Sequence, residues 1–276
     1  MIKPIIQPEE LVDLAKASEI VIIDAGNIVS YAMQHLKDAM HADLNADLAA
    51  VPDNPANGGR HPLPDTAVFG DVLGRLGITP QSHVVVYDDK NGALSAARFW
   101  WMLRAAGHEK VQVLNGGVTA AAKAGFPLSD LVGIPIPSEH YVFNEWKLPM
   151  AFIDEVEAAA MNDNRIVIDV RAAARYRGET EPLDPVAGHI PGAVNIPYES
   201  NLDAEGFFLG PEELESKYKI ALEGINPQDA IVHCGSGVTA CHTLLAMDYA
   251  GFPMPKLYVG SWSEWCGNGK QIAVNA

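Results

Sequence analysis

The chain has 276 residues, 48% hydrophobic and 20% charged, with a formal net charge of −16. That length suits one large domain or two ordinary ones with enough apolar residues for a core, and the excess of acid excludes a nucleic-acid binder, because the whole-molecule field repels phosphate. No apolar run approaches the ~18 residues of a membrane span, the start MIKPIIQPEELVDLAK lacks the apolar core and cleavage site of a signal peptide, and three cysteines make no disulfide framework, so the expected setting is a reducing cytoplasm, with neither membrane nor nucleic acid as partner.

In chain order, EIVIIDAG (19–26) is an apolar run ending at Asp24. HLKDAMHAD, opening at His35, reads as a turn feeding a short strand, and GGRHPLP (58–64) is a loop that is a candidate to face a site. HVVVYDD (83–89) is a second strand, ending at Asp88; the loop DDKNGALSA, the helical pattern SAARFWWMLRAAG and the strand VQVLNGG, with Gly116 at its turn, follow. The proline-rich segment from Pro127 to Pro149 has no helical period and is expected to be a linker. Then the pattern returns: RIVIDVRA ends its apolar run at Asp169, HIPGAVNIP opens at His189, AIVHCGS reaches Cys234, TACHTLLAMDYAG is helical, and KLYVGSW turns at Gly260.

The spacings make this a repeat. Positions 24 and 88 are 64 apart and 169 and 234 are 65 apart; 24 to 116 is 92 and 169 to 260 is 91. Two copies of one fold follow, with expected boundaries 1–127, a linker at 128–149, and 150–276. Apolar runs without alternation are strands buried on both faces, hence a parallel sheet. Alternation of strand and helix gives an α/β fold with helices on both faces of each sheet.

Cys234 stands where chemistry is expected. In a parallel α/β sheet, ligands sit beyond the carboxyl ends of strands, and Cys234 ends a strand just before a helix. The loop Gly235, Ser236, Gly237, Val238, Thr239 contains two glycines that let backbone N–H groups turn inward, a nest that attracts negative charge. A thiolate there is stabilised and becomes a nucleophile. The twin loop has Asp88 at the matching place, so one copy kept a nucleophile and the other did not. A cysteine phosphatase needs an arginine six residues after the cysteine; here that residue is Ala240. Transfer of sulfane sulfur through a persulfide has no such requirement. The tryptophans at 100, 101, 262 and 265 are read as packing, and no spacing of His, Cys and acid suggests a metal; no cofactor is expected.

The strings VIDVRAAARYRG, GHIPGAVNIP, CGSGVTA and YVGSWSEW, with VVVYDDKNGALSAARFWWMLRAAGHEKVQVLNGG in the first half, resemble the tandem-domain rhodanese-like sulfurtransferases over nearly the whole chain. The resemblance implies two rhodanese-like domains, the N-terminal one inactive and the C-terminal one catalytic, with Cys234 as the persulfide cysteine. It implies a small-molecule sulfur donor, a thiol or cyanide as acceptor, and a thioredoxin-like reductant as a further partner. Arg175 matches an arginine that binds the donor's anionic end, whereas Arg171 is read as structural. The uncharged GSG after the cysteine is the pattern of 3-mercaptopyruvate enzymes; thiosulfate enzymes carry basic residues there. Asp184 occupies a position where mercaptopyruvate enzymes carry a second arginine, which keeps thiosulfate as the alternative donor and an inactive binding module as a third reading. On this basis Asp184→Arg is expected to improve mercaptopyruvate binding, and Arg-Lys in place of Gly235-Ser236 to favour thiosulfate. A serine–histidine–aspartate relay is known in the mercaptopyruvate branch, and His35 is the expected match for its histidine.

Overall fold

The computed structural model describes residues 2–138 and 141–274; residues 139 and 140, within the segment expected as linker, lie outside them. The chain forms two compact units. The first comprises Met1–Ala50, Pro64–Lys147 and Ala204–Phe208, and the second Val51–Leu63, Leu148–Asp203 and Leu209–Ala276.

In the first unit the strands are β1 (Ile5–Ile6), β2 (Val21–Asp24), β3 (His35–Leu36), β4 (Met40–His41), β5 (Val84–Tyr87), β6 (Val111–Leu114) and β7 (Leu128–Ser129). Five of them form a sheet in the order β1-β6-β5-β2-β4, and β3 pairs with β7 separately. Every pairing in the five-stranded sheet is parallel. The second unit contains β8 (Met150–Ala151), β9 (Ile166–Asp169), β10 (Val194–Asn195), β11 (Ala230–His233) and β12 (Lys256–Tyr258). Its order, β10-β9-β11-β12-β8, is that of the first sheet read from the other edge, again all parallel.

The repeat extends to the register. Asp24 lies opposite Tyr87, and Asp169 opposite His233. Strands β5, β6, β9 and β11 are buried at every residue, because helices flank each sheet and cover both side-chain directions; this is why their sequences are apolar without alternation. In the first unit, one face packs Ile22, Val85 and Leu114 against Leu11, Ala121 and Phe126. In the second, Val167 and Ile231 pack against Val156, Tyr176, Trp262 and Trp265. All four tryptophans expected to be packing residues are buried. Among the described residues no helix is long and apolar enough to cross a membrane. Asp88 and Cys234 directly follow the central strands β5 and β11, and a helix comes after each, Ser95–Ala105 and Ala240–Tyr249.

Candidate active site

Cys234 is 3% exposed and directly precedes the loop that leads into the helix Ala240–Tyr249. The turn after β12 fixes this loop. Trp262 N–H donates to the carbonyl of Cys234 at 3.1 Å and Ser263 N–H to that of Gly235 at 3.0 Å. In a planar trans peptide the N–H points opposite its carbonyl, so the N–H groups of Gly235 and Ser236 face away from the turn. Neither these nor the N–H groups of Val238 and Thr239 donate to a protein group among the described residues. Cys234 N–H is itself held by Ser261 Oγ at 3.2 Å, and Ser261 Oγ–H donates to the Tyr258 carbonyl at 2.9 Å. Gly237 has φ +72°, and a Cβ there would lie 2.3 Å from the Val259 carbonyl oxygen, so only glycine permits the turn to approach so closely.

Beneath the loop, Arg171 forks onto Asp169, with Nη2 2.7 Å from Oδ2 and Nε 3.0 Å from the same oxygen. Its Nη1 reaches Glu181 at 3.2 Å, and its guanidinium lies over the Trp262 ring at 4.7 Å. Burial pushes the Asp169 carboxyl up, but His233 and Arg171 outweigh it and hold the group below the ordinary carboxylate value. Burial lowers the His233 pKa, with the Asp169 carboxylate pulling the other way. Arg171 is therefore part of the scaffold, as its place after the strand suggested.

Arg175 and Asp184 do come together at the loop, and they bring a third residue that the sequence did not single out. Arg175 Nη2 is 2.7 Å from Glu181 Oε1 and 3.5 Å from Asp184 Oδ2. Arg60, from the GGRHPLP segment, places Nε 3.0 Å from Asp184 Oδ1 and Nη2 3.4 Å from Oδ2. Both arginines press on Gly235: a Cβ built there would lie 2.9 Å from Arg60 Nη2 and 3.3 Å from Arg175 Nη2. Burial raises the Asp184 pKa, and neighbouring Glu181 adds to the rise, while Arg60 and Arg175 oppose it.

This geometry bears on three expectations and overturns the one about His35. Asp184 does not merely subtract charge; it gathers two guanidinium groups, and arginine in its place would set three cations together. A side chain at 235 would crowd the guanidinium tips of Arg60 and Arg175, which bring charge to this loop from outside it. His35 is not beside the serine. Its Nδ1 is 2.7 Å from the Tyr31 carbonyl and its Nε2 3.1 Å from that of Leu131, and the ring stacks on Tyr31 at 4.0 Å, all within the first unit. The histidine at the loop is His61, whose Nδ1 lies 2.8 Å from Ser236 Oγ. The signal for it was in the sequence, in the GGRHPLP loop, but a histidine between glycines and prolines carries no periodicity to direct it.

None of the three cysteines is in a disulfide. Cys241 Sγ–H donates to the Gly237 carbonyl at 3.4 Å, and burial pushes the Cys266 thiol up to about 11. Among the described residues no cluster of His, Cys and acidic side chains has the arrangement of a metal site.

Two parallel sheets of one topology, one followed by Cys234 in a glycine-containing loop at a helix N-terminus and the other by Asp88, define a tandem α/β architecture. The model of the "Rhodanese-like domain" matches residues 7–124 and 153–268, and the chain belongs to that family, with one domain in each half. It is 42% identical over 238 residues to the "Probable 3-mercaptopyruvate sulfurtransferase" of Pseudomonas aeruginosa, an alignment covering 85% of this chain and 82% of the relative. To the thiosulfate sulfurtransferase of Rattus norvegicus it is 39% identical over 207 residues, covering 74% and 69%. Among solved structures, the 3-mercaptopyruvate sulfurtransferase from Leishmania major superposes with a TM-score of 0.82 at 32% identity, over 96% of this chain and 75% of that one.

Proposed function

We propose that the chain is a sulfurtransferase that takes sulfur from 3-mercaptopyruvate onto Cys234 and passes it to a thiol or to cyanide, with the second half carrying the chemistry and the first half an inactive copy. The observation that carries the choice of donor is the charge count at the loop. Arg60, Arg171 and Arg175 are ion-paired with Asp169, Glu181 and Asp184, three cations against three anions. A balanced cluster offers hydrogen-bond direction with little net field. That suits a monoanionic carboxylate and penalises a dianion such as thiosulfate, because Coulomb energy scales with charge.

In this reading Arg175 holds the donor's carboxylate and the Cys234 thiolate attacks the donor's sulfur. The carbon–sulfur bond breaks and its electron pair passes to carbon, giving the enolate of pyruvate. With His61 Nδ1–H donating to Ser236 Oγ, the serine hydroxyl proton is available to the enolate oxygen, an oxyanion-stabilising contact. Protonation at carbon releases pyruvate. The outer sulfur of the persulfide carries the negative charge, and the N–H groups of the loop are its partners. An acceptor thiolate, or cyanide, then attacks that sulfur, and the sulfur–sulfur bonding pair returns to Cys234. A thioredoxin-like dithiol in a reducing cytoplasm would release the sulfur as hydrogen sulfide and leave as a disulfide.

Two measurements test this. Donor treatment adds the mass of one sulfur atom to the intact protein, removable by cyanide, and kcat/KM is higher for 3-mercaptopyruvate than for thiosulfate. A preference for thiosulfate at equal concentration would overturn the donor assignment and favour the thiosulfate reading that the 39% identical relative also suggests.

A further inference from the structure

The segment 51–63 is fastened to the turn after β12 at several points. Ala56 O accepts from Asn268 Nδ2 at 2.8 Å, Gly58 N–H donates to Glu264 Oε1 at 3.2 Å, and Arg60 N–H donates to Ser263 Oγ at 3.0 Å. Gly59, at φ +87°, passes so close that a Cβ would lie 2.4 Å from the Gly260 carbonyl oxygen. The segment thus presents two consecutive side chains to one loop, Arg60 against Gly235 and His61 against Ser236. Arg60 and Arg175 are engaged alike. Each places Nε and Nη2 on a carboxylate, and neither Nη1 has a hydrogen-bond partner among the described residues. Asp184, with a side chain 2% exposed, joins the two.

We propose that Arg60 is the second guanidinium on the donor's anionic end, and that Asp184 is a positioning residue which holds Arg60 beside Arg175 and sets the site's preference for one negative charge over two. The proposal rests on the sulfurtransferase reading above. The two arginines come from stretches of chain more than a hundred residues apart, and the buried carboxylate is what makes them one anion site. Reversing the pair, with the carboxylate on the segment and the guanidinium at 184, keeps both the ion pair and a cation beside Gly235.

Four variants test this in full-length protein, with cyanide as acceptor and circular dichroism as the check on folding. Arg60→Gln raises KM for 3-mercaptopyruvate roughly 10- to 100-fold, the size of one lost charge-assisted contact, with kcat changed much less, since binding and not the chemical step is affected. Asp184→Asn removes a negative charge and shifts the ratio of kcat/KM values toward thiosulfate by about tenfold. Asp184→Arg alone raises KM for both donors, and the double variant Arg60→Asp with Asp184→Arg recovers KM to within a few-fold of the native value. A merely structural ion pair would lower stability and affect both donors alike. The proposal is overturned if folded Arg60→Gln keeps its native KM, or if the double variant binds donor no better than Asp184→Arg. Should Arg60→Gln fail to fold, the comparison of the double variant with Asp184→Arg decides. Failure of the underlying reading looks different: the native protein itself then gains no sulfur from either donor.

Discussion

The two halves place an acid and a thiol at the same point of the same fold, and the difference shows what each loop is built to hold. After β5, the Asp88 carboxylate takes N–H bonds from Lys90 and Gly92 on one oxygen, at 2.8 and 2.9 Å, and from Leu94 and Ala96 on the other, both at 3.0 Å. The first loop therefore contains its own built-in acceptor for these N–H groups. After β11 the corresponding loop has Cys234, and its N–H groups at 235, 236, 238 and 239 have no protein acceptor among the described residues. Burial raises the Asp88 pKa and the four amides oppose the rise; in the second half no carboxylate occupies the corresponding place.

The surroundings differ in the same sense. Asp24 and Asp169 are twins, each accepting the N–H two residues on, at 2.8 and 2.9 Å. Tyr31 with His35 and Tyr176 with His189 are twins as well, each histidine stacked on its tyrosine and bonded to that tyrosine's carbonyl. Counting from these pairs, Gly26 stands where the second half has Arg171, and Ser30 where it has Arg175. A side chain at 26 would meet Asp89 Oδ1 at 2.5 Å. The first half has the same packing pairs and lacks the cations at these two positions.

The sharpest way to break this comparison is to exchange the two residues. Cys234→Ser abolishes sulfur transfer, because a hydroxyl in the same nest is far less ionised and forms no persulfide. Adding Asp88→Cys to that variant does not restore it, since the first loop has no arginine pair and no serine–histidine pair. Sulfur mass appearing on the double variant would show that a nest and a thiol suffice.

A smaller effect separates the loops by stability. Asp88→Asn turns an NH2 group toward N–H donors that had an acceptor, and about 2–3 kcal/mol is expected to be lost from the first unit, roughly 30- to 150-fold in its folding equilibrium. Urea unfolding followed by hydrogen exchange on the helix Ser95–Ala105 measures it, while kcat in native conditions stays unchanged. Equal stability would mean the four amide bonds contribute nothing net.

The smallest effect concerns which thiol reacts. Cys266, with a pKa of about 11, is thiolate to only about one part in ten thousand at pH 7. A limiting dose of iodoacetamide at pH 7, mapped by peptide mass, is expected to label Cys234 and to leave Cys241 and Cys266. Labelling of Cys266 should emerge only as pH rises toward 11, because its thiolate appears only there. Uniform labelling at pH 7 would count against the loop as an anion nest.

The fold was legible because its signals are local and repeated. Four apolar runs ending at Asp24, Asp88, Asp169 and Cys234 fix strand type, sheet and spacing, and burial on both faces leaves little freedom in how they are read. The loop and Arg175 were legible for the same reason, since each lies within a few residues of a strand end. Arg60 and His61 were not. They belong to an irregular segment whose position is set by bonds to Glu264, Ser263 and Asn268, and nothing in residues 51–63 themselves names those partners. Asp184 was found, but its partner Arg60 lies 124 positions away and nothing near 184 names it.

The bond between His61 and Ser236 spans 175 residues, and that between Arg60 and Ser263 spans 203. On a ribosome, the segment that supplies Arg60 and His61 is complete long before the turn that receives it has been made. It must wait while strands β5 to β12 are synthesised, and closing so long a loop adds an entropic cost that contacts near in sequence do not carry. Arg60 and His61 therefore take their places beside Gly235 and Ser236 only after the chain has been made at least as far as Ser263. A truncation beginning at Leu148 would inherit the nucleophile without two of the residues beside it.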